Sequence, residues 1–394
     1  MRRPATTVTF WLVFGASTLE NATFNGTSPV IARFVTGSFG ASPAAAGVIA
    51  ALAPLSSLVW QPIAGHAADR YGYRLVGVAG AVAALAGFLL TLLTTVGPQT
   101  LALAGLGRIL IGGGGASVAT VATAWVVATS PRASRGQALS IFGLSVWIAF
   151  ALGPVIGENV YQTSGFAAVW LVFAAMTAAM LFCVAFAVEP VRPEPAGAMT
   201  LSGLREVVST VSRPGVVAAA AWAGQAVITT YLVVLLESRG LATDGWFGAA
   251  SLFPVFAVCL IASRVLFSRL TDTTPPRPIA IGGLLGITAG LLILSATSSF
   301  WTAALGAALL GFVYAPMYPA LTLLASDGLP ADHRAVGLGV FSSFTALGMA
   351  AGQFMGGFVD EWLGLGWVFV VTAALQLLAL PALPPSARTA PPAP

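Results

Sequence analysis

Gly65-His66-Ala67-Ala68-Asp69-Arg70-Tyr71-Gly72-Tyr73-Arg74 joins two apolar runs, 43–66 and 75–96. Gly65 and Gly72 permit close packing and a tight turn. Asp69 is an anion suited to the N-terminus of a neighbouring helix, whose dipole favours negative charge. Each flanking run is about 20 residues, the length that crosses a hydrocarbon core. The stretch therefore reads as a short loop between two membrane-spanning helices.

Working outward, the chain contains twelve such apolar segments: 9–34, 43–66, 75–96, 100–129, 136–161, 166–188, 215–237, 245–267, 278–298, 300–326, 335–362 and 366–383. The first follows Arg2 and Arg3, but Glu20 and Asn21 interrupt it and no small-residue cleavage site precedes them, so it reads as a retained helix. The polar interval 189–214 divides the chain almost in half. Pro190, Pro193 and Pro195 keep its start extended, and Leu201, Leu204, Val207, Val208 and Val211 recur at helical spacing, as in a short helix lying on the membrane surface. The expected domains are a six-helix bundle over 1–188, this linker, and a second six-helix bundle over 215–394.

Composition agrees. Of 394 residues, 57% are hydrophobic and 8% charged, against roughly 25% charged in soluble domains. All 17 cations are Arg. Without Lys there is no Walker A phosphate loop and no Schiff-base or Lys nucleophile, so Gly112-Gly113-Gly114-Gly115 is not a nucleotide cradle. The net charge of +4 comes from scattered Arg rather than a basic patch, which argues against nucleic acid. With the N-terminus inside, thirteen Arg fall in cytoplasmic loops, Arg33 and Arg239 fall outside, and Arg108 and Arg264 lie within helices. This positive-inside bias places both termini in the cytoplasm. Cys183 and Cys259 sit in apolar runs and imply neither a disulfide nor a metal site.

The halves repeat. The stretch 135–142 aligns with 334–341, an offset of 199 that also places Gly112 on Gly311 and Ala149, Gly153 and Gly157 on Gly348, Gly352 and Gly356. An offset of 203 places Asp69 on Asp272. Six helices followed by six in the same orientation form a parallel repeat, the arrangement of a duplicated transporter.

The fixed positions Gly65, Asp69, Arg70, Gly72 and Arg74 resemble the signature loop of the major facilitator superfamily, Gly-x-x-x-Asp-Arg-x-Gly-x-Arg. Arg108 followed by Gly112 is similar to its second motif. Gly153-Pro154-Val155-Ile156-Gly157 resembles the motif of its proton antiporters, departing from it at Ala149 and Glu158. Arg264, Arg269 and Asp272 resemble a degraded second copy of the loop. The resemblance implies an all-α membrane fold of twelve helices in two bundles related by a pseudo-two-fold axis. It also implies a latch at the loop that closes the cytoplasmic side, with Asp69 facing the eleventh helix and Asp272 the fifth, and a part in proton coupling for Arg108.

Glu20 lies near the middle of the first segment, where a charge costs about 2.5–3.5 kcal/mol. It shares one broad helical face with Ser17, Asn21, Asn25, Thr27 and Ser28. Such a face must meet a cavity or a partner, which makes Glu20 the candidate proton acceptor and Arg108 its expected partner. Asn21, Asn25, Trp222, Gln225, Tyr231, Tyr314, Tyr318 and Gln353 are expected to line the cavity, a set suited to an uncharged or weakly cationic organic substrate. Glu158 is expected at the headgroups.

The expected function is proton-coupled export of a small organic molecule across the cell's inner membrane by a monomer. It would be no enzyme and hold no metal or cofactor, the proton gradient being its only drive. Proton-coupled uptake of a metabolite by the same fold is the alternative, and a lipid flippase or membrane receptor a further one.

Overall fold

The computed structural model describes residues 4–97, 100–130, 135–189, 201–242, 245, 247–267, 274–326, 329 and 334–384. These form helices, with no strand among the described residues. In chain order they are α1 (Pro4–Gly26), α2 (Ser28–Phe39), α3 (Pro43–Tyr71), α4 (Tyr73–Val96), α5 (Leu101–Thr129) and α6 (Arg135–Phe186). The second half supplies α7 (Leu201–Ser238), α8 (Leu252–Leu266), α9 (Pro276–Ala296), α10 (Phe300–Ser326), α11 (Arg334–Leu363) and α12 (Leu365–Ala379).

Ten helices among the described residues are long and apolar enough to cross a membrane, against twelve expected segments. Two local features account for the difference. Segment 9–34 is divided at Thr27, where Pro29 has no N–H to donate to the carbonyl of Asn25. Its 23-residue part α1, though long enough, carries Ser17, Glu20, Asn21 and Asn25 and is not apolar enough to count. Segments 136–161 and 166–188 run together as the 52-residue α6, which bends at Gly165, where φ is 75°. The interval expected as a separate surface helix also differs. α7 continues through Pro214 without a break, and Val207 and Val211 are buried in the same core as Phe341. Val207 and Val211 thus pack on protein rather than on lipid, while Val208 is exposed.

The first half holds two buried clusters, one around Trp125 and Met180 and one around Phe34, Trp170 and Phe173. The second half holds a larger one, containing Phe253, Leu291, Phe341 and Phe369, which Phe150 of α6 enters from the other half. Outer faces keep large apolar side chains exposed, among them Val258, Val265, Trp362 and Leu378, as surfaces that meet lipid require.

The repeat read from the sequence recurs as packing. A Cβ on Gly112 would lie 2.0 Å from the carbonyl oxygen of Ala53, and one on Gly311 would lie 2.1 Å from that of Phe256. Ala53 and Phe256 are 203 positions apart, the offset that relates Asp69 to Asp272. Each half thus presses its fourth expected segment onto the backbone of its second at the same place, where only glycine fits.

Helix prolines leave carbonyls that lipid cannot satisfy. Pro316 frees the carbonyl of Phe312, and Ser263 Oγ on α8 donates to it at 2.7 Å. Ser263→Ala is expected to destabilise the protein by about 1–3 kcal/mol, the cost of an unmet buried acceptor. Thermal unfolding of the purified protein in detergent measures this, and an unchanged midpoint would refute it.

Candidate functional site

The polar face of α1 is only partly engaged. Ser17 Oγ pairs with Ser145 Oγ of α6 at 2.9 Å. Asn21 Nδ2 donates to the Ser17 carbonyl at 2.9 Å, and Asn25 Nδ2 to the Asn21 carbonyl at 2.8 Å, which leaves both amide oxygens available on this face. Asn25 is buried and Asn21 half-buried.

Glu20 sits in the middle of this face, only 8% exposed. Its Oε1 faces Gly115 of α5 closely enough that a Cβ there would lie 2.9 Å away. Glycine therefore leaves the space the carboxylate occupies. Among the described residues, no hydrogen bond or ion pair reaches the Glu20 carboxylate.

Arg108 does not pair with Glu20. It lies seven residues from Gly115, or about 10 Å along α5 at 1.5 Å per residue. Its Nη1 donates to Thr27 Oγ1 at 2.8 Å and its Nη2 to the Ala50 carbonyl at 3.2 Å. Pro54 has no N–H to offer that carbonyl, so the guanidinium fills a vacancy in α3. Thr27 marks the break between α1 and α2, so Arg108 ties together two interrupted helices.

In the second half the expected cavity residues separate. Tyr231 is buried, with its hydroxyl donating to the Gln353 carbonyl at 2.7 Å. Tyr314 is buried and donates to the Ala221 carbonyl at 2.6 Å, and Gln353 is buried with Nε2 on Thr230 Oγ1 at 3.3 Å. These three hold helices together and do not line open space. Trp222, Gln225 and Tyr318 stay partly exposed, with the Trp222 and Tyr318 rings 5.4 Å apart.

Arg264 lies in the last turn of α8, within a helix as expected. Its guanidinium is 5.0 Å from the centre of the Trp147 ring, on α6 in the other half. Arg269 and Asp272 lie outside the described residues.

The charged residues of the signature loop are exposed, and residues 330–333, at the start of the helix that Asp69 is expected to face, lie outside the described residues. Gly72 turns the chain at φ 101°, and a Cβ added at Gly65 would meet only Thr120, at an ordinary 3.8 Å. Asp69 and Arg74 are exposed, and the Arg70 guanidinium stands 5.3 Å from the Tyr71 ring centre. Asp69 has no hydrogen bond or ion pair among the described residues. The N-terminus of α4 is instead capped from its own half: Glu189 accepts from the Tyr73 N–H at 2.7 Å and the Arg74 N–H at 2.8 Å.

The halves pack backbone on backbone at the far end, away from this loop. Gly47 of α3 lies against the backbone of Gln353 and Gly357 on α11, and Glu361 Oε2 accepts from the Ala44 N–H at 2.9 Å. Arg33 donates from Nη1 and Nη2 to Glu158, whose Oε1 also accepts from Gln162 Nε2 at 2.8 Å. Arg33 Nη1 is 3.4 Å from Glu237 Oε2 on α7, in the other half. Glu158 is therefore wholly buried and does not reach headgroups. Gly153 and Gly157 lie against the carbonyls of Ala22 and Gly26, with Pro154 between them in α6, so the antiporter-like motif packs α6 on α1. Gly352 meets Ala223 in the equivalent way.

The model of the Major Facilitator Superfamily matches residues 10–352 and 250–394. The chain belongs to that superfamily. It is a multi-pass membrane transporter of this fold. It is 26% identical over 357 residues to the uncharacterized MFS-type transporter YhhS of Escherichia coli (strain K12), covering 89% of this chain and 85% of the relative. A Salmonella typhimurium YhhS is 27% identical over the same length. Among solved structures, a bacterial homolog of the human lysosomal transporter Spinster, inward-facing and unoccupied, superposes with a TM-score of 0.78 at 14% identity, over 97% of each chain. The human organic anion transporter MFSD10 gives 0.67 at 18% identity, over 97% of this chain and all of that one.

In this superfamily member the sequence reading missed Arg33, Glu237 and Trp147. Arg33 carried a signal, being one of two cations on the expected outer side. Its partners, Glu158 and Glu237, lie on helices that nothing in the local pattern of 28–39 points to. Arg239, the other outer cation, donates to the carbonyls of Leu294, Ser295 and Thr297 and so closes the C-terminus of α9.

Proposed function

We propose that this transporter exports a small organic molecule in exchange for protons, by alternating access across the inner membrane, with both termini in the cytoplasm. The observation that carries the reading is Glu20, a buried carboxylate on the polar face of α1 with no cation beside it. A carboxylate in that setting is a group that can carry a proton from one side to the other as water reaches it in turn, which is the task of a coupling group. Arg108, held by Thr27 and Ala50, acts in this reading by fixing the α1–α2 break and not as a partner of Glu20.

Export rather than uptake is supported by the Gly153-Pro154-x-x-Gly157 motif, and orientation by the Arg distribution. Closure at the Gly47–Gly357 end corresponds, in that orientation, to a state shut toward the outside and awaiting substrate from the cytoplasm.

Glu20→Gln tests the reading. In proteoliposomes an imposed pH gradient is expected to drive substrate flux through wild type and none through the variant, while substrate exchange without a gradient persists. Gradient-driven flux at the wild-type rate in Glu20→Gln would remove Glu20 from coupling.

A further inference from the structure

We infer that Arg264 binds an anionic group of the transported molecule, so that the substrate is an organic anion with an apolar or aromatic body. This deepens the transport reading above by naming its substrate class, and it rests on that reading.

A cation inside a spanning helix must be offset by a partner or face a water-filled space. Three other arginines have such offsets, and Arg277, whose Nε is also buried without an acceptor, stands in the first turn of α9. Arg33 has Glu158, Arg108 has Thr27 and Ala50, and Arg239 has three carbonyls. Arg264 has no hydrogen bond and no acid partner among the described residues, and its Nε is buried with no acceptor. What holds it is the face of Trp147, 5.0 Å away on the opposite half. A ring face orients a guanidinium and leaves its N–H edge available.

Its surroundings fit a particular ligand. From Trp147 the rings continue to Phe150 at 6.5 Å, Phe256 at 5.0 Å and Tyr314 at 5.8 Å. A cation beside an aromatic wall matches a carboxylate or similar anion carried on an apolar body. The geometry also places the group at the seam between α6 and α8, one helix from each half. A ligand bound there would touch both halves, as a molecule that is to be passed between two alternating states must. This reverses the charge preference that the aromatic and amide residues suggested by themselves.

The shared chemistry, an anionic headgroup, is also that of an acidic phospholipid. The test separates the two. The full-length protein is purified in a neutral detergent and titrated calorimetrically with naphthoate and with its uncharged analogue naphthamide, without any pH gradient. Naphthoate is expected to bind at least about tenfold more tightly. Arg264→Gln is expected to weaken naphthoate about tenfold to a hundredfold, the value of a hydrogen bond to a charged group, and to leave naphthamide unchanged. Arg264→Lys should keep part of the preference. If Arg264→Gln does not fold, as thermal unfolding would reveal, the naphthoate-to-naphthamide ratio of wild type still decides.

Equal binding of the two probes, binding of neither, or undiminished naphthoate binding in Arg264→Gln would overturn the inference. So would binding of phosphatidylglycerol micelles with no binding of naphthoate, which would make the site a lipid site. Since no gradient is used, failure of proton coupling in Glu20→Gln and failure of anion binding here are separate results.

Discussion

Arg33→Ala is expected to lower stability by about 3–5 kcal/mol, the cost of leaving a buried charge without its partner. Glu158 is wholly enclosed, and without Arg33 it keeps only the amide of Gln162. The double variant Arg33→Leu/Glu158→Leu should recover most of the loss, because removing both charges also removes their desolvation cost. Thermal unfolding of the purified proteins in detergent supplies the comparison. A single variant as stable as wild type would mean that water reaches Glu158. The same substitution removes the contact between Arg33 and Glu237, which joins the two halves. Its remaining folded population should therefore open more readily at the end where Gly47 meets Gly357, and a cysteine placed there should label faster.

Gly112→Ala and Gly311→Ala are expected to cost about 1–3 kcal/mol each and to reduce recovery of folded protein. The added carbon would stand 2.0 Å from the Ala53 carbonyl oxygen in the first case and 2.1 Å from that of Phe256 in the second. The obstacle is backbone, which cannot rotate aside as a side chain can, so helices α3 and α5, or α8 and α10, must separate. Gly282→Ala and Gly339→Ala are controls, since a Cβ at either meets nothing within 4 Å. They should be neutral or slightly stabilising, as alanine is the better helix former. Matched losses at Gly112 and Gly311 would measure the repeat as an energetic symmetry. A loss at only one would confine it to shape.

The spans and the repeat were legible because both are carried by local composition. A run of apolar residues is visible without knowing its neighbours, and so is an offset such as the one that pairs Gly112 with Gly311. The two places where the span count departs from expectation are local as well. Pro29 and Gly165 stand in the sequence, yet 9–34 reads as one helix, and whether a helix ends at such a residue or bends and continues depends on what packs against the turn. The same holds for Pro214, which α7 passes without interruption. There the burial of Val207 and Val211 favours continuing the helix onto protein over laying it on lipid.

The charged and polar side chains show where sequence alone stops. It determined that Glu20 lies on a polar face, that Arg108 and Arg264 lie within apolar helices, and that Arg33 and Arg239 stand apart from the other cations. Helical periodicity fixes the direction a side chain takes from its own axis, and residue chemistry fixes what it needs. The tertiary structure alone decided which neighbour meets that need. It gave Arg108 the carbonyl that Pro54 left open, Glu158 the guanidinium of Arg33, Tyr231 and Tyr314 backbone partners, and Arg264 a ring from the other half. Those partners come from helices tens to hundreds of residues away in the chain, and their rotation about one another is set by the close fit of small residues such as Gly112 on Ala53.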